Sequence, residues 1–138
     1  MSAKNAKKEA KEKSYEIRPH ILAKFYKEKI YKEVKDILDS KMNESCRNQE
    51  NENKYNHEEA LNLSKEISDC VRDKLKEEAF NLTRYKIMVH TIIGEKKGQG
   101  IKVGLKCMWD TTSDGVASAS WENEHTYAFC IVYGVYFY

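Results

Sequence analysis

Proline occurs once, at Pro19, and none of the six glycines precedes Gly94. Between Pro19 and Gly94 the sequence thus has no chain breaker, which argues against a turn-rich fold there and for long helices. An excess of one charge sign is missing too: 24 Lys and Arg face 22 Asp and Glu, a net charge of +2. Steering and counterion release need basic residues gathered on one face, so no nucleic-acid partner is expected. The four cysteines, Cys46, Cys70, Cys107 and Cys130, form no short pairing, and the opening MSAKNAKKEAKEKS lacks the apolar stretch of a signal peptide. A reduced thiol set in the cytoplasm is expected in place of a disulfide framework. The uncharged run Thr126–Tyr138 (TYAFCIVYGVYFY) has thirteen residues, short of the roughly twenty that a spanning helix needs. Its Tyr, Phe, Val and Ile content reads as a buried strand, and no membrane insertion is expected.

What is present divides near Arg84. Residues 1–84 hold 19 basic and 17 acidic side chains, whereas residues 85–138 hold five of each sign, every glycine and nine of the fifteen aromatics. The length fits one domain, large enough for a real core but with little room for a deep cleft between lobes. Residues 1–14, with five Lys and two Glu, read as a disordered basic tail, and 15–138 as the folded domain. Tyr15–Pro19 (YEIRP) reads as extended chain, because proline pushes Arg18 out of the helical region. Tyr26, Ile30, Val34, Ile37, Leu38 and Met42 recur at steps of three and four, predicting an amphipathic helix over 21–42. Residues 43–56 (NESCRNQENENKYN) read as an Asn-rich mobile connector. Asn56 with Glu59 resembles a capping box that opens a second helix, with a stripe through Ala60, Leu63, Ile67 and Val71 and an end at Phe80 before Asn81. Beyond Tyr85 the period becomes two, predicting four strands: one from Tyr85, then Ile101–Asp110, Val116–Asn123 and Tyr127–Phe137, with turns at Gly94–Gly100 and Thr111–Gly115. The fold class is α+β, two N-terminal helices followed by a four-stranded antiparallel sheet.

The first and last strands are apolar on both faces, whereas an antiparallel sheet with one wet face alternates apolar and polar residues. Two helices cover one face and no further element remains for the other. Each large side chain left exposed forgoes about 1.5–3 kcal/mol, so a second chain is expected to supply the missing layer in a twofold or pseudo-twofold dimer.

Arg84–Asp110 (RYKIMVHTIIGEKKGQGIKVGLKCMWD), the SDG of Ser113–Gly115, the WEN of Trp121–Asn123 and the ending FCIVYGVYFY of Phe129–Tyr138 resemble the Tctex-type dynein light chains. YxIRP at Tyr15–Pro19 and IIGE at Ile92–Glu95 resemble the second Tctex subgroup, associated with dyneins of cilia and flagella. The resemblance spans about 15–138. It implies a dimer with strand exchange between subunits and a non-catalytic role on the dynein intermediate chain in microtubule-based movement. It also implies a homodimer or a heterodimer with a first-subgroup chain, other dynein subunits as partners, and a place on the cytoskeleton in the axoneme of a cilium or flagellum. The alternative is a dynein-independent dimeric adaptor that binds other peptides by strand addition.

Strand addition places affinity in backbone amides and specificity in alternate side chains. The expected receiving edge is Lys102–Asp110: it lies between two turns, contains Gly104, and carries Lys102 and Lys106 outward as edge guards against aggregation. Cys107, Met108, Trp109 and Asp110 complete the candidate site, with Trp109 either an anchor or core filling.

Catalysis and cofactors find no pattern. His20, His57, His90 and His125 stand in no zinc spacing with cysteine. Cys107 with His90 would make a nucleophile and base without an orienting third group. GQG in Gly94–Gly100 opens no helix and cradles no phosphate, and Asp110 with Asp114 falls short of a calcium loop. The chain is expected to be no enzyme and to bind no cofactor or metal. The Lys-rich tail reads as a solvated face that could also meet an anionic surface.

Overall fold

A computed structural model describes residues 18–19, 24–48, 55–77 and 80–137. The expected basic tail and the first part of YEIRP lie outside the described residues. Helix α1 spans Lys27–Asn48. Ile30, Val34, Leu38 and Met42, four residues apart, are its buried stripe, while Tyr26 precedes the helix and is 44% exposed. In its place Phe25 enters the core. The helix outruns the expected end at 42 because the polar residues there find partners on the sheet. Trp121 Nε1 donates to Asn43 Oδ1 at 3.3 Å, and Asn123 Nδ2 lies 3.5 Å from Cys46 Sγ. Residues 43–48 of the expected connector are therefore helix, and 49–54 lie outside the described residues.

Helix α2 spans His57–Leu75. The Asn56 side chain caps it, Oδ1 accepting from Glu58 N at 3.0 Å and Glu59 N at 3.4 Å. Asn56→Ala is expected to cost about 1 kcal/mol, read in urea unfolding as a lower midpoint at unchanged slope. The α-helix stops at Leu75, short of the expected Phe80, but Phe80 is buried and Asn81 turns the chain at φ 50°, the left-handed region that Asn tolerates. Ala60, Ile67, Val71 and Leu75 are its buried face. Lys41 on α1 meets Glu66 on α2 at 2.8 Å, a surface pair worth roughly 0–1 kcal/mol.

Among the described residues the sheet has three strands, β1 (Tyr85–Glu95), β2 (Gly115–Glu122) and β3 (Thr126–Tyr136), in the order β1-β3-β2 and antiparallel throughout. β3 is central, with both of its edges paired. The expected strand Ile101–Asp110 is a correction: it alternates as a strand should, yet it has no regular structure and pairs with no strand among the described residues. Periodicity shows which way side chains point, but a strand exists only where a neighbour takes its backbone groups.

Both helices pack on one face of the sheet, enclosing Val34, Leu38, Val71, Cys130 and Val132. Near one end, the rings of Phe25, Tyr85 and Tyr136 meet in turn, tilted and then edge-on, with ring centroids 6.0 and 5.4 Å apart. Tyr85 Oη accepts from Phe25 N at 3.2 Å and donates to the Ser113 carbonyl at 2.6 Å. Burial pushes the Tyr85 phenol up from its ordinary value, so it stays a neutral donor in this bridge.

Candidate functional site

β2 is an edge strand, and hydrogen-bond alternation decides which of its groups face outward. Asn123 N donates to Thr126 O at 2.9 Å. In the same register Gly115, Ala117, Ala119 and Trp121 exchange bonds with β3. The N–H and C=O groups of Val116, Ser118, Ser120 and Glu122 therefore point away from β3, where no strand lies among the described residues. The Lys35 ammonium of α1, paired with Asp39 at 2.9 Å, reaches this edge and donates to the Ser120 carbonyl.

The face turned from the helices is apolar without being covered as the helix face is. Phe129, Ile131, Tyr133 and Val135 of β3 share it with Met88 and Ile92 of β1 by register. Ile131 is 4% exposed but Met88 is 56% exposed. Tyr127 lies flat here, stacked on Phe129 at 6.4 Å. Gly94 permits this, since a Cβ at that position would stand 2.2 Å from Tyr127 Oη. Between this face and the stretch Ile101–Leu105 lies a groove of about 600 Å³, with Ile101, Val103 and Leu105 on one wall and Tyr127, Phe129 and Ile131 on the other.

The sequence-predicted site residues fall on the far side of that groove and form no receiving edge. Lys102, Gly104, Lys106 and Cys107 are exposed in the unpaired stretch, and Met108 is 104% exposed. Trp109 is half-buried; the tryptophan packed against the core is Trp121. Asp110 turns the chain, its carboxylate accepting from Thr112 N at 3.0 Å, Thr112 Oγ1 at 2.8 Å and Ser113 Oγ at 3.4 Å. Among the described residues β1 and β2 are the two edges of the sheet, and β2 is the third of the four expected strands, to which the sequence assigned no edge role. Its signal was VASASWE, a run with small polar side chains on the face shared with the outward backbone groups.

The Thr112 amide, then the Thr112 hydroxyl, hold the Asp110 carboxyl below its ordinary value of 3.8, with Ser113 and Arg18 adding to the effect against desolvation. A depressed carboxyl stabilises the loop above the ordinary value, and that stabilisation is lost as pH falls through the folded-state value. An NMR titration from about pH 5 to pH 2 is expected to show the Thr112 amide losing its hydrogen-bonded shift only below the ordinary aspartate range. A midpoint at or above 3.8 would contradict this geometry. Cys130 is buried beside Thr91 Oγ1 at 3.6 Å, and burial raises its thiol, which makes it a poor nucleophile. Among the described residues no group of three His, Cys, Asp or Glu side chains could hold a metal ion, and no helix is long and apolar enough to cross a membrane.

Comparison with known proteins follows the same outline. The sequence model of the Tctex-1 family matches residues 24–135. Dynein light chain Tctex-type protein 2B of Danio rerio is 36% identical over 84 residues, which cover 61% of this chain and 55% of that protein. The protein of the same name from Homo sapiens is 32% identical over 105 residues, 76% of this chain and 70% of the relative. Dynein light chain Tctex-type 5-B of Xenopus laevis is 35% identical over 104 residues, 75% of this chain and 53% of the relative. The match thus spans between about half and seven-tenths of these relatives' own lengths.

Proposed function

Because the chain belongs to the Tctex-1 family, we propose that it is a non-catalytic light chain of a dynein motor. In this reading it dimerises by exchanging Ile101–Asp110 and binds a segment of the dynein intermediate chain, in the cytoskeleton of a cilium or flagellum. One observation carries the reading: an alternating stretch without a strand partner and an edge strand without a neighbour occur in the same chain. Exchange between two copies satisfies both. The pattern of the stretch fits the β2 edge, because Ile101, Val103, Leu105, Cys107 and Trp109 fall on one side and can turn toward the helices as a fourth strand. Lys102, Lys106 and Met108 then fall on the outer face. Packing that face against a second copy also covers Met88, Ile92 and Phe129, at about 25 cal/mol for each Å² of apolar area removed from water. Two joined copies then hold two target segments at raised effective concentration.

Light scattering of the purified chain, alone and mixed with a first-subgroup Tctex-type chain, tests the pairing. A dimer alone indicates the homodimer, and a dimer only on mixing indicates the heterodimer. A monomer under both conditions would overturn the dimeric reading. Capture of interacting proteins followed by mass spectrometry tests the dynein assignment: intermediate and heavy chains support it, and their absence with other peptides retained would make the chain a dynein-independent adaptor.

A further inference from the structure

The loop Asp110–Asp114 is where Ile101–Asp110 could fold back on its own β2. The outward groups of β2 belong to Val116, Ser118, Ser120 and Glu122, and the same alternation places Asp114 in phase with them. A self-hairpin closed at Asp110 and Asp114 would set Met108, Lys106, Gly104 and Lys102 opposite those four. Half of its first rung is present, since Asp114 N donates to Asp110 O at 2.9 Å. The other half is not: Asp110 N, which would reach the Asp114 carbonyl, donates instead to the Asp114 carboxylate, Oδ2, at 2.9 Å. Oδ1 of that carboxylate accepts from Tyr136 N at 2.7 Å, which ties the arrangement to β3.

The backbone adds a second obstacle. Three-residue hairpin loops close with their last residue in the left-handed region, usually glycine. Here that residue is Ser113, and positive φ among the described residues occurs only at Asn81 and Gly98. The Ser113 carbonyl is also held by Tyr85 Oη at 2.6 Å. Beyond the loop, Val103 and Leu105 stand across the groove from β2 without pairing.

We infer that the Asp114 carboxylate is the positioning group of strand exchange: it holds open the first rung of a self-hairpin and so leaves Ile101–Asp110 for the β2 edge of a second copy. The inference rests on the exchange proposed above. Asp114→Asn tests it, because the amide keeps one oxygen for Tyr136 N and loses the acceptor for Asp110 N. The variant is expected to fold, to dimerise about tenfold or more weakly than the wild type, and to gain slow hydrogen exchange as a monomer at Lys102, Gly104, Lys106 and Met108. Ser113→Gly, which admits the left-handed residue, is expected to shift the same amides in the same direction, and it carries the test should Asp114→Asn fail to fold. Unchanged dimerisation and amide exchange in a folded variant would overturn the inference, as would a monomeric variant whose stretch 101–109 still exchanges freely. A wild type that is monomeric at every concentration overturns the exchange reading alone. In that case the role of Asp114 in holding the self-hairpin open still stands if Asp114→Asn gains the four protected amides and falls if it does not.

Discussion

Phe25→Ala lowers the stability of the folded chain by about 3–5 kcal/mol, the range for deleting a buried phenylalanine. The ring is 5% exposed and lies in a slot that only glycines can form. Gly115 and Gly134 are paired in register, and a Cβ on either would stand 2.5 or 2.3 Å from a Phe25 ring carbon. The backbone N–H of residue 25, which donates to the Tyr85 hydroxyl that holds the Ser113 carbonyl, is kept in this variant, so the loss is that of the ring. Gly134→Ala is expected to destabilise by a similar amount, since the methyl group and the ring claim the same space. In a double-mutant cycle the two changes are then strongly non-additive, with Gly134→Ala costing little once the ring is gone. Urea unfolding of the four proteins checks this. Additive costs would mean that the ring does not occupy the slot.

Ser118→Pro is expected to abolish strand addition while leaving the domain folded. The Ser118 N–H points outward from β2, so proline there removes no bond to β3. It removes a donor from the edge and sets a ring where an incoming strand must lie. Ala119→Pro, one residue along, removes an N–H that the register directs to β3 and so breaks the ladder that holds β2 to the sheet. The expected results are a cooperative unfolding transition for Ser118→Pro with dimerisation weakened by about a hundredfold or more, and a largely unfolded Ala119→Pro. Sedimentation and circular dichroism separate the two. Wild-type dimerisation by a folded Ser118→Pro chain would show that the β2 edge is not the receiving surface.

Some of this architecture could be read before any coordinates. The α1 stripe Ile30, Val34, Leu38 and Met42, the Asn56 cap and the two-faced pattern of β3 follow from local preference and from residue spacing, and they stand where spacing placed them. The errors lie where distant partners decide. Asn43 and Cys46 were legible only as polar connector, because Trp121 and Asn123, which meet them, are remote in sequence. Phe25 gave no periodic signal, because its place depends on two glycines that come together only when β2 pairs with β3.

The same distinction holds at the candidate site. Residue order was enough to place helices before strands, to give Ile101–Asp110 its alternation and to mark a sheet with more apolar surface than two helices can cover. Folding in three dimensions put β3 in the centre, left β2 at the edge, and set Lys35 on Ser120 and the Asp114 carboxylate on Asp110 N. Side-chain period is a property of one stretch of chain. Which backbone groups remain unclaimed depends on every neighbour that could take them, and the unclaimed groups are what a partner strand would bind.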